Sequence, residues 1–165
     1  MVALLYNIRS LHNVGSVFRT SDAAGVEKVY LCGYTPAPVD KHNRPESRLV
    51  KTALGAEKYI SWEKVPGRAV GTVKLIRQFQ SEGYKVLAVE QSKTSVPFHK
   101  INYGKKEFQK LALVMGNEVK GLPPSILRAA DKTIEIPMFG RKESLNVSVA
   151  YGIAVYEIVI SKIKK

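Results

Sequence analysis

Leu111-Ala112-Leu113-Val114-Met115 runs without a break into Gly116-Asn117-Glu118-Val119-Lys120-Gly121-Leu122-Pro123. Five apolar residues closed by a polar, glycine-bracketed turn suit a strand buried on both faces, and such strands belong to parallel sheets covered by helices. The same alternation extends in both directions. Runs at Val2–Tyr6, Lys28–Leu31, Lys58–Ser61, Lys85–Val89 and Lys132–Ile136 are read as further strands. Helical patterns at Val14–Ala24, Ser47–Leu54, Val70–Glu82, Pro124–Ala129 and Val147–Lys162 lie between and after them. In the third of these, Val70, Val73, Ile76 and Phe79 form one stripe and Gly83 supplies the stop. Turn-forming residues mark loops at Gly33–Pro38, Asp40–Glu46 and Ser92–Gly104. The expected fold is α/β, a largely parallel sheet flanked by helices. No repeat or linker interrupts the pattern, so residues 1–165 are read as a single domain.

The last helix differs from the rest. Val147, Val149, Ala150, Ile153, Ala154, Val155, Ile158, Val159 and Ile160 are spread around it. A helix apolar on nearly every side needs cover on every side. Either its own domain or a second subunit could provide it, and Gly152 would admit another backbone closely.

Charge narrows the class of partner. Lys and Arg number 26 against 14 Asp and Glu, a formal net charge of +12. Such an excess favours a polyanion, because each phosphate neutralised releases condensed counterions. Basic residues gather at Lys41, Arg44, Arg48 and Lys51, at Lys100, Lys105, Lys106 and Lys110, and at Arg141 and Lys142. No apolar run reaches the roughly 18 residues of a membrane span, and Met1-Val2-Ala3-Leu4-Leu5-Tyr6, with no basic leader or cleavage site, is read as a first strand rather than a signal. No membrane partner is expected. The single cysteine, Cys32, excludes an internal disulfide framework and suits the cytoplasm. It reads as a small core residue at a strand end.

The common nucleotide and hydrolase signatures are missing. No G-x-G-x-x-G, no P-loop and no G-x-S-x-G elbow occurs. His12, His42 and His99 lack ligand spacing, so no metal is expected. What remains are three polar clusters, each just after an expected strand. The first is Asn7-Ile8-Arg9-Ser10-Leu11-His12-Asn13-Val14-Gly15-Ser16-Val17-Phe18-Arg19-Thr20, in which Asn13 is placed to cap a helix opening at Val14, with Arg19 about two turns in. The second is the quoted stretch from Met115 to Pro123. The third joins Ile136-Pro137-Met138-Phe139-Gly140 to Ser144-Leu145-Asn146. Loops at the carboxyl ends of parallel strands are the favoured ligand positions of open α/β sheets. Any one cluster alone reads as ordinary turn and capping chemistry.

In their order and spacing the three clusters resemble the signature motifs of the SpoU/TrmH branch of the SPOUT RNA methyltransferases. The match runs over 7–25, 113–123 and 134–157. Lys51-Thr52-Ala53-Leu54-Gly55-Ala56-Glu57 and Val89-Glu90-Gln91 are typical of the same family. The resemblance implies a C-terminal deep trefoil knot, a rare exception to the rule that chains avoid knots. It also implies a homodimer with its active site at the subunit interface. S-adenosylmethionine would be held near Glu90, Met115, Gly116, Ile136, Met138 and Leu145, and the reaction would be 2′-O-methylation of a ribose in tRNA or rRNA. The catalytic set carried over is Arg19, Asn13, Glu118, Ser144 and Asn146.

The family places proton handling on Arg19, yet a guanidinium is an awkward base. The role better supported by chemistry is to bind the phosphate beside the target ribose and stabilise developing oxygen charge. Asn13 would position that arginine or the ribose, and Glu118, Ser144 and Asn146 would orient loops and substrate. Asn146 also suits an N-cap for the last helix. Tyr34 and Phe139 are candidates to stack a base, and Arg9 to touch RNA. Many relatives carry an accessory RNA-binding domain; residues 1–165 are read as the methyltransferase domain with no accessory RNA-binding domain, so specificity would rest on the basic surface, the dimer or a helper protein. Short SPOUT enzymes that modify the tRNA wobble ribose share this length, while His12-Asn13-Val14-Gly15 and Gly116-Asn117-Glu118 look closer to the TrmH-type pattern. The alternative is a non-catalytic RNA-binding or ribosome-assembly protein on the same fold.

Overall fold

The computed structural model describes residues 1–163. The last two residues of the expected 1–165 domain lie outside that range. Seven parallel strands form one sheet in the order β3-β2-β1-β6-β4-β7-β5. They are β1 (Val2–Tyr6), β2 (Lys28–Cys32), β3 (Ser61–Val65), β4 (Lys85–Val89), β5 (Val96–Pro97), β6 (Leu111–Met115) and β7 (Lys132–Glu135). Helices α1 (Leu11–Ala23), α2 (Ser47–Ala53), α3 (Ala56–Tyr59), α4 (Arg68–Ser81), α5 (Pro124–Ala129) and α6 (Val147–Ile163) cover it.

The two-residue period of a strand sorts the core into two layers. Ala3, Leu5, Leu111, Leu113 and Met115 face α1, α2 and α6 through Val14, Phe18, Leu49, Tyr151 and Ile158. Val2, Leu4, Tyr6, Ala112 and Val114 face α4 and α5 through Ile76, Phe79 and Ile126. Every residue of β1 and β6 is buried, so their runs carry no polar alternation. Cys32 closes β2 inside the second layer, where burial pushes its thiol up to about 12. That environment disfavours the thiolate. No described helix is long and apolar enough to cross a membrane.

The structure departs from the sequence reading where local signals compete. The strand expected at Lys58–Ser61 is instead the single turn α3 followed by β3. Leu54 and Gly55 both adopt left-handed backbone, which ends α2 and starts a second turn, and β3 is an edge strand with Ser61, Glu63 and Lys64 exposed. A strand covered on few sides needs no apolar run. Helix α1 begins at Leu11, three residues earlier than expected, with the Ser10 hydroxyl accepting from the Asn13 N–H at 3.3 Å. Ser10 is therefore the cap, and the Asn13 side chain is released for other work. In α4, Val70 is 81% exposed, and Thr72, Ile76 and Phe79 form the buried stripe. Helix α6 buries Tyr151, Ala154, Val155 and Ile158 on one side, with the Tyr151 hydroxyl 2.7 Å from that of Ser21 on α1. Its other side stays exposed and apolar at Val149, Ile153, Tyr156 and Ile160.

Candidate active site

In-register pairing brings the carboxyl ends of three strands level. Met115 lies beside Leu5 of β1 and Val89 of β4. The loops that leave these strands therefore meet at one edge, joined by the segment after β7. All three polar clusters arrive there from opposite ends of the chain.

The loop after β6 folds back on itself. Asn117 and Gly121 form an antiparallel bridge, with the Gly121 N–H donating to the Asn117 carbonyl at 2.9 Å. The Asn117 side-chain oxygen accepts from the N–H groups of Val119 at 3.0 Å and Lys120 at 2.8 Å. Two glycines are dictated by this geometry. A Cβ on Gly116 would lie 2.7 Å from the Gly121 carbonyl carbon and 2.8 Å from the Leu122 nitrogen. Gly121 has φ +61°, the left-handed region glycine enters without penalty, and a Cβ there would meet the Glu90 carboxylate. Glu90 is held in place by the same loop, accepting from the Leu122 N–H at 2.8 Å and from the Gln91 N–H at 3.1 Å.

Glu118 ties this loop to the one after β1. Its carboxylate accepts from the Arg9 N–H at 3.1 Å, the Ser10 N–H at 3.2 Å and the Asn13 amide at 3.1 Å. Burial alone would raise this carboxyl; the hydrogen bonds, led by its own backbone N–H and that of Arg9, outweigh burial and hold it below the ordinary 4.5. The Asn13 oxygen accepts in turn from the Asn146 amide at 3.1 Å. Asn146 also caps α6, accepting from the Ser148 N–H at 2.9 Å. One continuous chain, Glu118 to Asn13 to Asn146, thus links the three clusters.

Beside it lies a cleft of about 220 Å³. All six expected cofactor residues line it: Glu90, Met115, Gly116, Ile136, Met138 and Leu145. Ser144 and Glu118 line it as well, and the Gln91 amide donates to the Glu143 carbonyl at 2.7 Å across its wall. Its charge is opposite to that of the molecule. Four glutamates, Glu90, Glu118, Glu135 and Glu143, face a lining that contains no lysine or arginine. The remainder is mostly apolar, including Val89, Val147 and Ala150. Among the described residues no His, Cys, Asp and Glu cluster could hold a metal ion.

Arg19 is the expected site residue that the single chain leaves apart. His12 bonds to Thr52 of α2 at 3.0 Å, and Gly15 packs against Leu49 and Thr52. Arg19, four residues beyond Gly15 and seven beyond His12, shares that side of α1 and is exposed. The Asn13 side chain is directed instead to Glu118. The clustered cations Lys41, Arg44, Arg48 and Lys51 are exposed on and before α2, with Arg44 paired to Asp40 at 2.8 Å.

Two residues without an expected role prove central. Asn117 is 7% exposed, and its amide nitrogen reaches the Asn7 carbonyl at 2.8 Å and the Tyr34 hydroxyl at 3.0 Å. Thr35, fully buried, accepts from the Ile8 N–H at 3.0 Å and lies 2.7 Å from the Leu5 carbonyl. Both pin the loop after β1. Asn7 adopts φ +55° there, and an asparagine at a strand end is the one local sign of it.

Residues 1–156 match the model of the SpoU rRNA Methylase family. The chain is 35% identical over 159 residues to the tRNA (guanosine(18)-2'-O)-methyltransferase of Aquifex aeolicus, covering 95% of this chain and 67% of that enzyme. The crystal structure of the A. aeolicus TrmH/SpoU tRNA modifying enzyme superposes with a TM-score of 0.82 at 33% identity, over 99% of this chain and 75% of that one. An AdoMet-bound rRNA methyltransferase from Sinorhizobium meliloti superposes with a TM-score of 0.80 at 32% identity, over 95% and 54%. The chain thus spans between about half and three quarters of these relatives' lengths.

Proposed function

The chain belongs to the SpoU rRNA Methylase family, and from that premise we propose that it methylates a ribose 2′-hydroxyl of tRNA or rRNA in the cytoplasm, using S-adenosylmethionine. The observation that carries this reading is the sign of the cleft. A molecule of net charge +12 lines one cavity with four glutamates and apolar side chains. That lining fits a ligand with cationic groups and an apolar aromatic part, as the sulfonium, ammonium and adenine of this cofactor require. Gly116 and Gly121 fit too, since a side chain on either would collide with the walls of the cleft. The relatives supply the acceptor: one is named for tRNA guanosine 2′-O-methylation, another for rRNA methylation with AdoMet bound.

When bound, the cofactor supplies an electrophilic methyl group. The protein's share is to align a hydroxyl and stabilise charge on its oxygen. Glu118 fixes the Arg9–Ser10 backbone and the Asn13 amide, which orients the ribose side of the site; Asn146 holds Asn13 from the other side, and Ser144 offers a hydroxyl to the same cleft. Arg19, always protonated, binds the phosphate next to the target ribose and favours ionisation of the hydroxyl, whose proton leaves to phosphate or solvent.

An Arg19 outside its own cleft is consistent with a site completed by a second subunit. Helix α6 offers the surface: Val149, Ile153, Tyr156 and Ile160 follow a 4-3-4 spacing and are 49%, 37%, 42% and 44% exposed. That spacing suits the seam of a helix packed on its like and supports a dimer in this reading. Ile153→Lys is expected to turn a sedimenting dimer into a monomer, and a wild-type protein sedimenting at 18.3 kDa would remove the dimer from the proposal. The trefoil knot belongs to the same reading, with the Glu90–Leu122 and Gln91–Glu143 bonds tying the loops that would cross.

The deciding experiment incubates the protein with labelled cofactor and separate tRNA and rRNA pools, then maps methylated nucleosides by mass spectrometry. Label on ribose 2′-oxygens is expected. Label on bases alone would overturn the ribose assignment. Calorimetric silence towards S-adenosylmethionine would favour the non-catalytic RNA-binding protein instead.

A further inference from the structure

Tyr34 is exposed, yet it is held at both ends. The residue follows β2 in the turn Gly33-Tyr34-Thr35 and is 56% exposed. Its backbone N–H donates to Asn7 Oδ1 at 3.1 Å, and its phenol oxygen accepts from Asn117 Nδ2 at 3.0 Å. That same Asn117 nitrogen approaches Glu118 Oε2 at 3.5 Å. The phenol and the Glu118 carboxylate therefore converge on one buried amide, and the ring sits on the rim beside the Asn13–Glu118–Asn146 chain.

The surrounding turn is shaped to keep the ring there. Gly33, at φ +64°, leaves the space that the Asn7 carboxamide fills, because a Cβ on it would overlap Asn7 Oδ1. Thr35 anchors the next position in the core. None of these bonds uses the faces of the ring. The phenol accepts from Asn117, so its own proton is left for an outside acceptor; among the described residues none takes it. Phe139, 96% exposed, lacks any comparable anchor.

We propose that Tyr34 is a stacking platform for a nucleobase flanking the methylated ribose, a role that rests on the RNA methyltransferase reading above. Aromatic rings bind bases through their faces with little regard to sequence. A ring fixed before binding loses little freedom when the base arrives, which favours affinity. A tyrosine whose polar atoms are secured by site residues, 56% exposed and with no ring or cation contact among the described residues, meets both conditions.

The test uses the full chain, unmodified tRNA transcripts and an rRNA fragment. Tyr34→Leu is expected to raise KM for RNA roughly tenfold, the order of one lost base–aromatic stack, with the calorimetric affinity for S-adenosylmethionine unchanged. Tyr34→Phe, which keeps the ring and loses one anchor, is expected to stay within about threefold of wild type. Tyr34→Trp is expected to retain activity and to show fluorescence quenching when RNA is added. An unchanged KM in Tyr34→Leu, with a wild type that methylates RNA, overturns the platform alone. So does a Leu variant that weakens cofactor binding as much as RNA binding, since that marks a structural role. A wild type that neither binds cofactor nor methylates RNA removes the function and the platform together.

Discussion

Alanine at Gly116 is expected to abolish measurable cofactor binding and to destabilise the protein by about 1–3 kcal/mol, the usual range for overpacking a closed site. The reason is backbone against backbone. The added Cβ would stand 2.7 Å from the Gly121 carbonyl carbon and 2.8 Å from the Leu122 nitrogen, and neither can swing aside like a side-chain tip. Relief requires moving the 121–122 segment. That movement breaks the Asn117–Gly121 bridge and draws Leu122 away from Glu90, so the cleft loses its floor and one wall together. Gly140 provides the control, since a Cβ there meets nothing within 4 Å. Gly140→Ala should bind S-adenosylmethionine like wild type. Isothermal calorimetry and urea unfolding measure both expectations, and a Gly116→Ala protein that binds cofactor normally would show that the bridge is not part of the pocket.

This dependence on contacts between distant segments also explains which parts of the molecule were legible in the sequence. Strands β1, β4 and β6 match the sequence reading residue for residue, because in the middle of the sheet every position but the leading Lys85 of β4 is apolar. Strand β3 was not, since at the sheet edge Ser61, Glu63 and Lys64 remain in solvent and leave no run to detect. The start of α1 turned on two good caps three residues apart. Ser10 takes the role because Asn13 is engaged by Glu118, 105 positions away, a contact no local pattern encodes.

The site divides along the same line. The six cofactor residues implied by the family resemblance all line one cleft, at the carboxyl edge of the sheet where the loops after β4, β6 and β7 meet. Asn117 carried no expected role, because its partners Asn7 and Tyr34 lie 110 and 83 residues away. Arg19 shows the limit from the other side. Sequence places it on α1, but which face it occupies is decided by how α1 packs between α2 and α6.

Glu118→Gln is the second large effect expected, a fall in kcat of about a hundredfold with a smaller change in cofactor affinity. The carboxylate is placed among N–H donors only: Arg9, Ser10, Asn13 and, at 3.5 Å, Asn117. Glutamine keeps one acceptor oxygen and turns an NH₂ group towards donors, so at least one bond becomes a repulsive contact. The loop at 7–10 then loses its tie to the 116–122 loop, and Asn13 is released from its place between Glu118 and Asn146. A displacement of about 1 Å in groups that align a reaction is enough for a hundredfold loss. The pH dependence separates this electrostatic role from simple packing. Because the folded carboxyl lies below its ordinary value of 4.5, its contribution to stability is complete above that value and is lost as pH falls through the lower, folded value. The difference in melting temperature between wild type and Glu118→Gln should therefore be full at neutral pH and shrink below pH 4.5. A difference that stays constant through that range would assign Glu118 a role in shape alone.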